Sequence, residues 1–308
     1  MATSIDYINQ LKADKQTLVN NLVAKGVDAT NDETFTSLVP KVANIQGGVD
    51  INDYFKPTIA AATNLERTNG INAIIKKIPD TITISGDSCA GMFQYCGAIT
   101  TIPLLDTSGV TDMREMFSQC DSLQTIPVID TSKVTTMTSM FSGCTSLQTI
   151  PLLNTSEVTR VTSMFEECTS LQTIPAIDTS KVTTFERTFF ACSALQSLPL
   201  LDMGSVTSLY GTFARATNLM HSSGFPNLGK AYLTTSAANN YTYTLTLSPC
   251  SKLTETSIIN ILNNLYDIKT KGCQSQKVVL GSTNLAKLTS EEGLAALKQA
   301  QDYGWTVS

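Results

Sequence analysis

Charge is scarce in this chain. Asp, Glu, Lys and Arg make up only 15% of its 308 residues, against roughly a quarter in ordinary soluble domains, and Ser, Thr and Asn take up the difference. With a net charge of −5 and scattered lysines there is no basic stripe, which argues against a phosphate backbone, and so nucleic acid, as partner. Long apolar runs are missing as well. No stretch approaches the ~18 residues of a membrane span, and no membrane insertion is expected. The start, MATSIDYINQLKADKQTLVNNL, lacks the apolar core and small-residue cleavage site of a signal peptide. The expectation is cytoplasmic synthesis, with association to a surface or virion after release by lysis or a non-classical route.

Chemistry-bearing motifs are equally sparse. The single histidine, His221, sits beside Ser222 and Ser223; a general base would need a positioned nucleophile and an orienting carboxylate, and neither is recognisable. It reads as an exposed or capping residue. There is no CxxC pair, HExxH, P-loop or G-x-S-x-G. Neither enzymatic activity, nor a cofactor, nor a metal is expected.

What the chain has is repetition. Phe93, Phe117, Phe141, Phe165, Phe189 and Phe213 recur at one constant interval, without insertion or deletion. Within one period, Val134, Met137, Met140, Phe141, Cys144 and Leu147 follow at steps mostly of three or four, which predicts a short helical segment. Leu147-Gln-Thr-Ile150-Pro151-Leu-Leu then has shorter spacing, which predicts a strand, and Asn154-Thr-Ser closes the unit as a turn. A unit of this size cannot bury its apolar face alone, so neighbours must complete the core. Parallel stacking would set like side chains ~4.8 Å apart. The ladder Pro103, Pro127, Pro151, Pro175 and Pro199 marks where each strand rung ends, because proline lacks the N–H a central strand requires.

Further columns follow from the period. Cys96, Cys120, Cys144, Cys168 and Cys192 read as buried, reduced thiols, since collinear sulfurs cannot converge tetrahedrally on one ion. Asp106, Asp130, Asn154, Asp178 and Asp202 would stack oxygen ligands as calcium prefers, or cap the turns that follow them, which is the favoured reading. Thr111, Thr135, Thr159, Thr183 and Thr207 resemble an ice-binding ladder, yet each follows a core valine, which favours hydrogen bonds to backbone. Lys133, Glu157 and Lys181 alternate in sign as register devices. Gln124, Thr125, Gln148, Thr149, Gln172, Thr173 and Gln196 occupy outward strand positions and form the candidate face for a glycan or peptide, against the plain alternative of a solvated face without ligand. Ile129 and its equivalents are uniformly aliphatic, which favours an inward direction.

The strand L-x-x-I-P, the segment M-F-x-x-C and the string D-T-S-x-V-T-x-M-x-x-M-F resemble the BspA-like leucine-rich repeats of bacterial surface proteins, over about Cys89 to Leu219. The resemblance implies an α/β repeat fold, a right-handed leucine-rich-repeat solenoid with a parallel sheet, capped at both ends. In the last copy Ala216 replaces the cysteine, Thr212 the methionine, and Met203-Gly204 the Thr-Ser pair, as at the approach to a cap.

The ends read differently. Ile5 to Val23 is patterned as an amphipathic helix and Asp32 to Val42 as a second one, before a hinge at Gly47-Gly48. Residues 1–48 form an N-terminal helical module, in which LKADKQTLVNNLVAKGVDATNDETFTSLVPKVANI, within about the first 46 residues, resembles a module of tail-associated phage and prophage proteins of Gram-positive bacteria, and residues 4–24 invite self-association, although Lys15 interrupts the seam. Residues 49–88 form the N-terminal cap, with Tyr54, Phe55, Ile74, Ile75, Ile78 and Ile82 as its apolar content, 89–220 the repeats, and 221–308 a C-terminal cap. In that cap Thr254 to Tyr266 reads as a helix, Lys277 to Leu280 as a strand, Thr289-Ser-Glu-Glu292 as a capping box, Gly304 as a stop and Trp305-Thr-Val as a last strand. The string beginning Leu280-Gly-Ser-Thr also resembles the terminal unit of phage and bacterial surface proteins. The expected function is recognition or attachment to a protein or glycan on a cell surface; the alternative is a structural tail-associated virion or prophage component with the repeats as spacer.

Overall fold

The computed structural model describes residue 30 and residues 81–84, 86–97, 99–102, 104–233, 244–271 and 276–308. The two expected N-terminal helices, the Gly47-Gly48 hinge, the self-association segment 4–24 and the cap residues up to 80 lie outside the described residues.

Stacking is written in the backbone pairing. Ser88, Asp112, Thr136, Arg160, Thr184 and Ser208 form a continuous chain of parallel bridges, each link spanning one sequence period. One period is therefore one coil, and successive coils lie parallel. The inward column of each coil is that of the sequence pattern: Val134, Met137, Met140, Phe141, Cys144, Leu147 and Ile150 are all buried. The phenylalanine rings stack in a single file from Phe93 to Phe213 with centroids 5.5–5.8 Å apart. This is wider than the expected ~4.8 Å rung, because near-parallel aromatic rings slide into the offset arrangement that their quadrupoles favour. Phe225, half a period after Phe213, adds its ring at 5.6 Å and closes the file.

The expected helical segment is not a helix. It is a run of overlapping turns in which Met140, Ser142 and Cys144 donate to the carbonyls of Met137, Ser139 and Phe141, three residues back. Left-handed residues interrupt it at Ser139 (φ 54°), Ser163 (φ 54°), Glu167 (φ 60°), Arg187 (φ 51°) and Gly143 (φ 75°), a conformation that a right-handed helix excludes. The alternate amides turn outward along the stack: Met113, Glu115, Phe117 and Gln119 donate to Thr136, Thr138, Met140 and Ser142 of the next coil at 2.7–3.1 Å. Steps of three and four thus serve consecutive turns as well as helix, and the bonds between coils decide for turns.

The expected strand is also sparser than its pattern. A single amide links neighbours through the middle of the array, Gln148 to Gln124 and Gln172 to Gln148 at 3.3 Å, since the proline that soon follows cannot donate. Among the described residues of the repeats, short regular ladders form only towards the ends, where β1 (Thr81–Thr83) pairs with β2 (Leu104–Asp106), and β3 (Ser197–Leu198) with β4 (His221–Ser222), both parallel.

After a 3-10 turn at Lys230–Leu233, the coils lengthen. β5 (Thr244–Thr246), β6 (Gln276–Val279) and β7 (Trp305–Val307) form a parallel sheet in that order. Helix α1 (Glu255–Asn263) connects β5 to β6, and α2 (Ser282–Leu285) and α3 (Glu291–Asp302) connect β6 to β7. The amide of Thr254 donates to Met220, which aligns Leu247, Cys250 and Leu253 with Phe213, Ala216 and Leu219. The sheet therefore prolongs the turn-bearing side of the repeats, and α1 prolongs the Leu–Pro side. Sheet and helix stand on the opposite sides from those the repeat pattern predicted.

The expected capping box is shifted by one residue. Ser290, not Thr289, is the N-cap of α3, accepting from the Gly293 amide at 2.9 Å. Gly293 has no side chain to reciprocate, and Glu255 of α1 supplies the carboxylate instead, accepting from the amides of Thr289 and Ser290 and from the Ser290 hydroxyl at 2.8–2.9 Å. Gly304, at φ 95°, ends the helix as its position implied.

Candidate recognition face

The segment after each core leucine runs with a period of three: Leu147, Ile150 and Leu153 point in, so the residues between them must point out. Gln124, Thr125, Gln148, Thr149, Gln172, Thr173 and Gln196 are all exposed, and the amide bonds from coil to coil hold the glutamines in one file. They stand on irregular extended chain rather than on a regular strand. The threonine file continues through Ser197 into His221, its parallel partner in β4, and the glutamine file into Met220, whose amide donates to Gln196 at 3.0 Å. His221 is exposed at the end of this face.

The direction of Ile129 is inward, with Leu105, Ile129, Leu153 and Leu201 buried. The residue before each one is consequently pushed out. Leu104 is 47% exposed, Val128 70%, Leu152 67% and Leu200 51%, and Ala176 in the same file is exposed. This aliphatic ridge escapes a reading based on hydrophobicity, because two adjacent apolar residues after proline look like core. The three-residue step was the signal that separates them. Beside the ridge, the stretches TTIPL, QTIPV, QTIPL, QTIPA and QSLPL contain no charged residue.

The remaining columns are occupied with holding the stack. Oδ1 of Asp106, Asp130, Asn154, Asp178 and Asp202 accepts from the amide two residues on at 2.8–3.1 Å, so the column caps turns. The Ser108 hydroxyl lowers the Asp106 carboxyl below its usual range, the Ser132 amide that of Asp130, and the Ser180 hydroxyl that of Asp178. Thr111, Thr135, Thr159, Thr183 and Thr207 donate their hydroxyls at 3.0–3.2 Å to the carbonyl one coil earlier. A second, buried threonine column went unnoticed in the sequence: Thr107, Thr131 and Thr179 donate to Asp130, Asn154 and Asp202 of the following coil at 2.7–2.8 Å.

The thiols of Cys120, Cys144, Cys168 and Cys192 donate to the carbonyls of Phe93, Phe117, Phe141 and Phe165 at 3.0–3.1 Å. Burial pushes Cys144 and Cys192 up to about 12 and Cys120 and Cys168 well upward. In the alternating column, Lys181 pairs with Glu157 at 2.8 Å with both side chains half exposed, a contact worth about 0–1 kcal/mol.

One surface cluster breaks the repeat. The Glu166 carboxylate is bound by the Arg187 guanidinium, which also lies 3.8 Å over the Phe190 ring, while Arg215 approaches the same ring at 5.5 Å. The Arg187 bond holds Glu166 below its usual range. In earlier coils the place of Arg187 is taken by Ser163, Ser139, Glu115 and Gly91, none of them basic.

A protein-family profile described as Mycoplasma protein of unknown function, DUF285, matches residues 87–199 and 149–227, which are the repeats. Among curated proteins none matches. A leucine-rich-repeat protein of T. pallidum, known from its crystal structure, is similar at 18% identity with a TM-score of 0.44, over 74% of this chain and 91% of that one. The constant interval between coil-to-coil bridges makes this chain a parallel-stacked repeat array, and its repeats are similar to those of the DUF285 proteins.

Proposed function

We propose that this chain is a non-enzymatic recognition or attachment protein that binds a protein or glycan on a cell surface through its Gln/Thr face. We read the coils as right-handed leucine-rich repeats of BspA-like type, with caps on both sides and an N-terminal module over residues 1–48. The observation that carries the proposal is the face itself: exposed amides, hydroxyls and aliphatic groups presented in files with no charge between them. Interface centres are depleted of charge in the same way, and repeat arrays use such extended surfaces for partners. Catalysis needs convergent unlike groups, whereas the rungs of the Gln/Thr face present like ones. Association with a surface or virion follows release of the chain. The alternative of a tail-associated component rests on sequence resemblance at the two ends.

The test is a glycan array and a cell-binding assay with the full chain and with a Gln148→Glu, Gln172→Glu variant of equal thermal stability. Binding by the parent that the variant loses supports the proposal. Binding that the variant retains in full moves recognition off this face, and absence of any binding sinks the reading.

A further inference from the structure

The aliphatic ridge has no function in holding the coil together, since its side chains point away from the core. Five such residues, Leu104, Val128, Leu152, Ala176 and Leu200, lie in file because each is one period from the next. Scattered exposed aliphatics are ordinary, but a contiguous line marks a contact surface. Its period restricts the occupant. A partner that engages every rung alike must itself repeat at ~4.8 Å along the same axis. An extended peptide laid along the array advances ~3.3 Å per residue and falls out of step. A second copy of this array has the required period by construction, and like files of side chains from two such stacks interdigitate as in paired sheets.

Resting on the reading of this face as the recognition surface, we infer that its partner is the same face of a second copy of this chain, making attachment homotypic. The charge pattern selects the orientation. Along each coil the order is Gln, Thr, ridge, Asp, as in Gln172, Thr173, Ala176 and Asp178. A two-fold axis parallel to the stack lays the glutamine file of one copy on the aspartate file of the other, where amide N–H groups meet carboxylates. A perpendicular axis would set Asp106, Asp130 and Asp178 against their own kind. The patch measures roughly 20 Å by 17 Å from four coil steps and five residues, less than half of the ~800 Å² per partner of a standard interface. The contact is therefore weak and reversible.

Sedimentation velocity of the full chain over a wide concentration range tests this. The parent is expected to pass from monomer to dimer. A Val128→Lys, Leu152→Lys variant, both sites being exposed, is expected to lose about thirtyfold or more in association, as when charges are buried unpaired at a contact, while Thr138→Lys on the turn-bearing side leaves it unchanged. Gln172→Lys, which sets a lysine opposite Asp178, tightens the dimer. A parent that stays monomeric overturns the inference, as does association that survives the double substitution, which would place it elsewhere, for example in residues 4–24. Weakening by Gln172→Lys overturns the orientation. If the parent is monomeric yet the glycan or cell binding is lost with Val128→Lys, Leu152→Lys, the homotypic inference fails and the recognition face stands.

Discussion

Thr179 donates its hydroxyl to the main-chain carbonyl of Asp202 at 2.8 Å, across the gap between two coils. One coil earlier, Thr155 is equally buried and its hydroxyl has no partner. The same residue type in the same column thus stands in two energetic states. Thr179→Val should cost about 1 kcal/mol, the net value of a buried hydrogen bond, whereas Thr155→Val should be neutral or stabilising. Chemical denaturation of the two variants checks this; equal costs would refute the distinction.

The ring file from Phe93 to Phe225 is buried and stacked from coil to coil. Phe165→Ala opens a cavity between Phe141 and Phe189, and the expected loss is about 3–5 kcal/mol. Because each coil contacts only its neighbours, the effect should be local. Hydrogen exchange should rise most over residues 141–189 and least in α3.

The thiol column predicts an alkaline limb. A folded thiol at about 12, as for Cys144 and Cys192, keeps its proton where an unfolded one, near 8.5, loses it. The stabilisation is complete below about pH 8.5 and declines as pH rises towards 12. Replacing Cys120, Cys144, Cys168 and Cys192 by Ala should flatten that decline relative to the parent in melting temperatures measured from pH 8 to 11. A thiol reagent at pH 8 should label these residues only after denaturant is added.

Glu255 joins α1 to the start of α3 through three accepted bonds. Glu255→Ala should free the amides of Thr289 and Ser290 and speed their hydrogen exchange, while Glu255→Gln, which retains one acceptor oxygen, should have a smaller effect. Unchanged exchange at Thr289 and Ser290 in the alanine variant would show that Ser290 caps the helix without this support.

The period, the inward columns, the Asx turns and the presence of α1 and α3 were legible in the sequence because each depends on residues within one coil, although α1 ends at Asn263 and not at the expected Tyr266. Three features were not, and each depends on partners farther away. Ser139 and Gly143 adopt left-handed backbone so that neighbouring amides can reach the next coil, a bond that steps of three and four do not reveal. The cap of α3 lies at Ser290 because Glu255, a whole helix-strand unit earlier, supplies what Glu292 was expected to give. Leu152 points outward because Ile150 and Leu153 fill the inward positions of a three-residue step, which hydrophobicity alone cannot separate from core. On the candidate face, the glutamines and threonines were readable as outward and the ridge beside them was not.

The constant spacing of the bridges makes the coil a module that can be counted. Excising residues 134–157 would join Lys133 to Val158 and recreate Asp-Thr-Ser-Lys-Val-Thr, which the chain already contains at Asp178–Thr183. The main-chain donors between coils would find acceptors of the same kind, one floor nearer, and only the exposed Lys181 would exchange its partner Glu157 for Lys133. Length is thus a property that the gene can change in whole steps without relearning how to fold, and the array behaves as a ruler whose graduations are interchangeable.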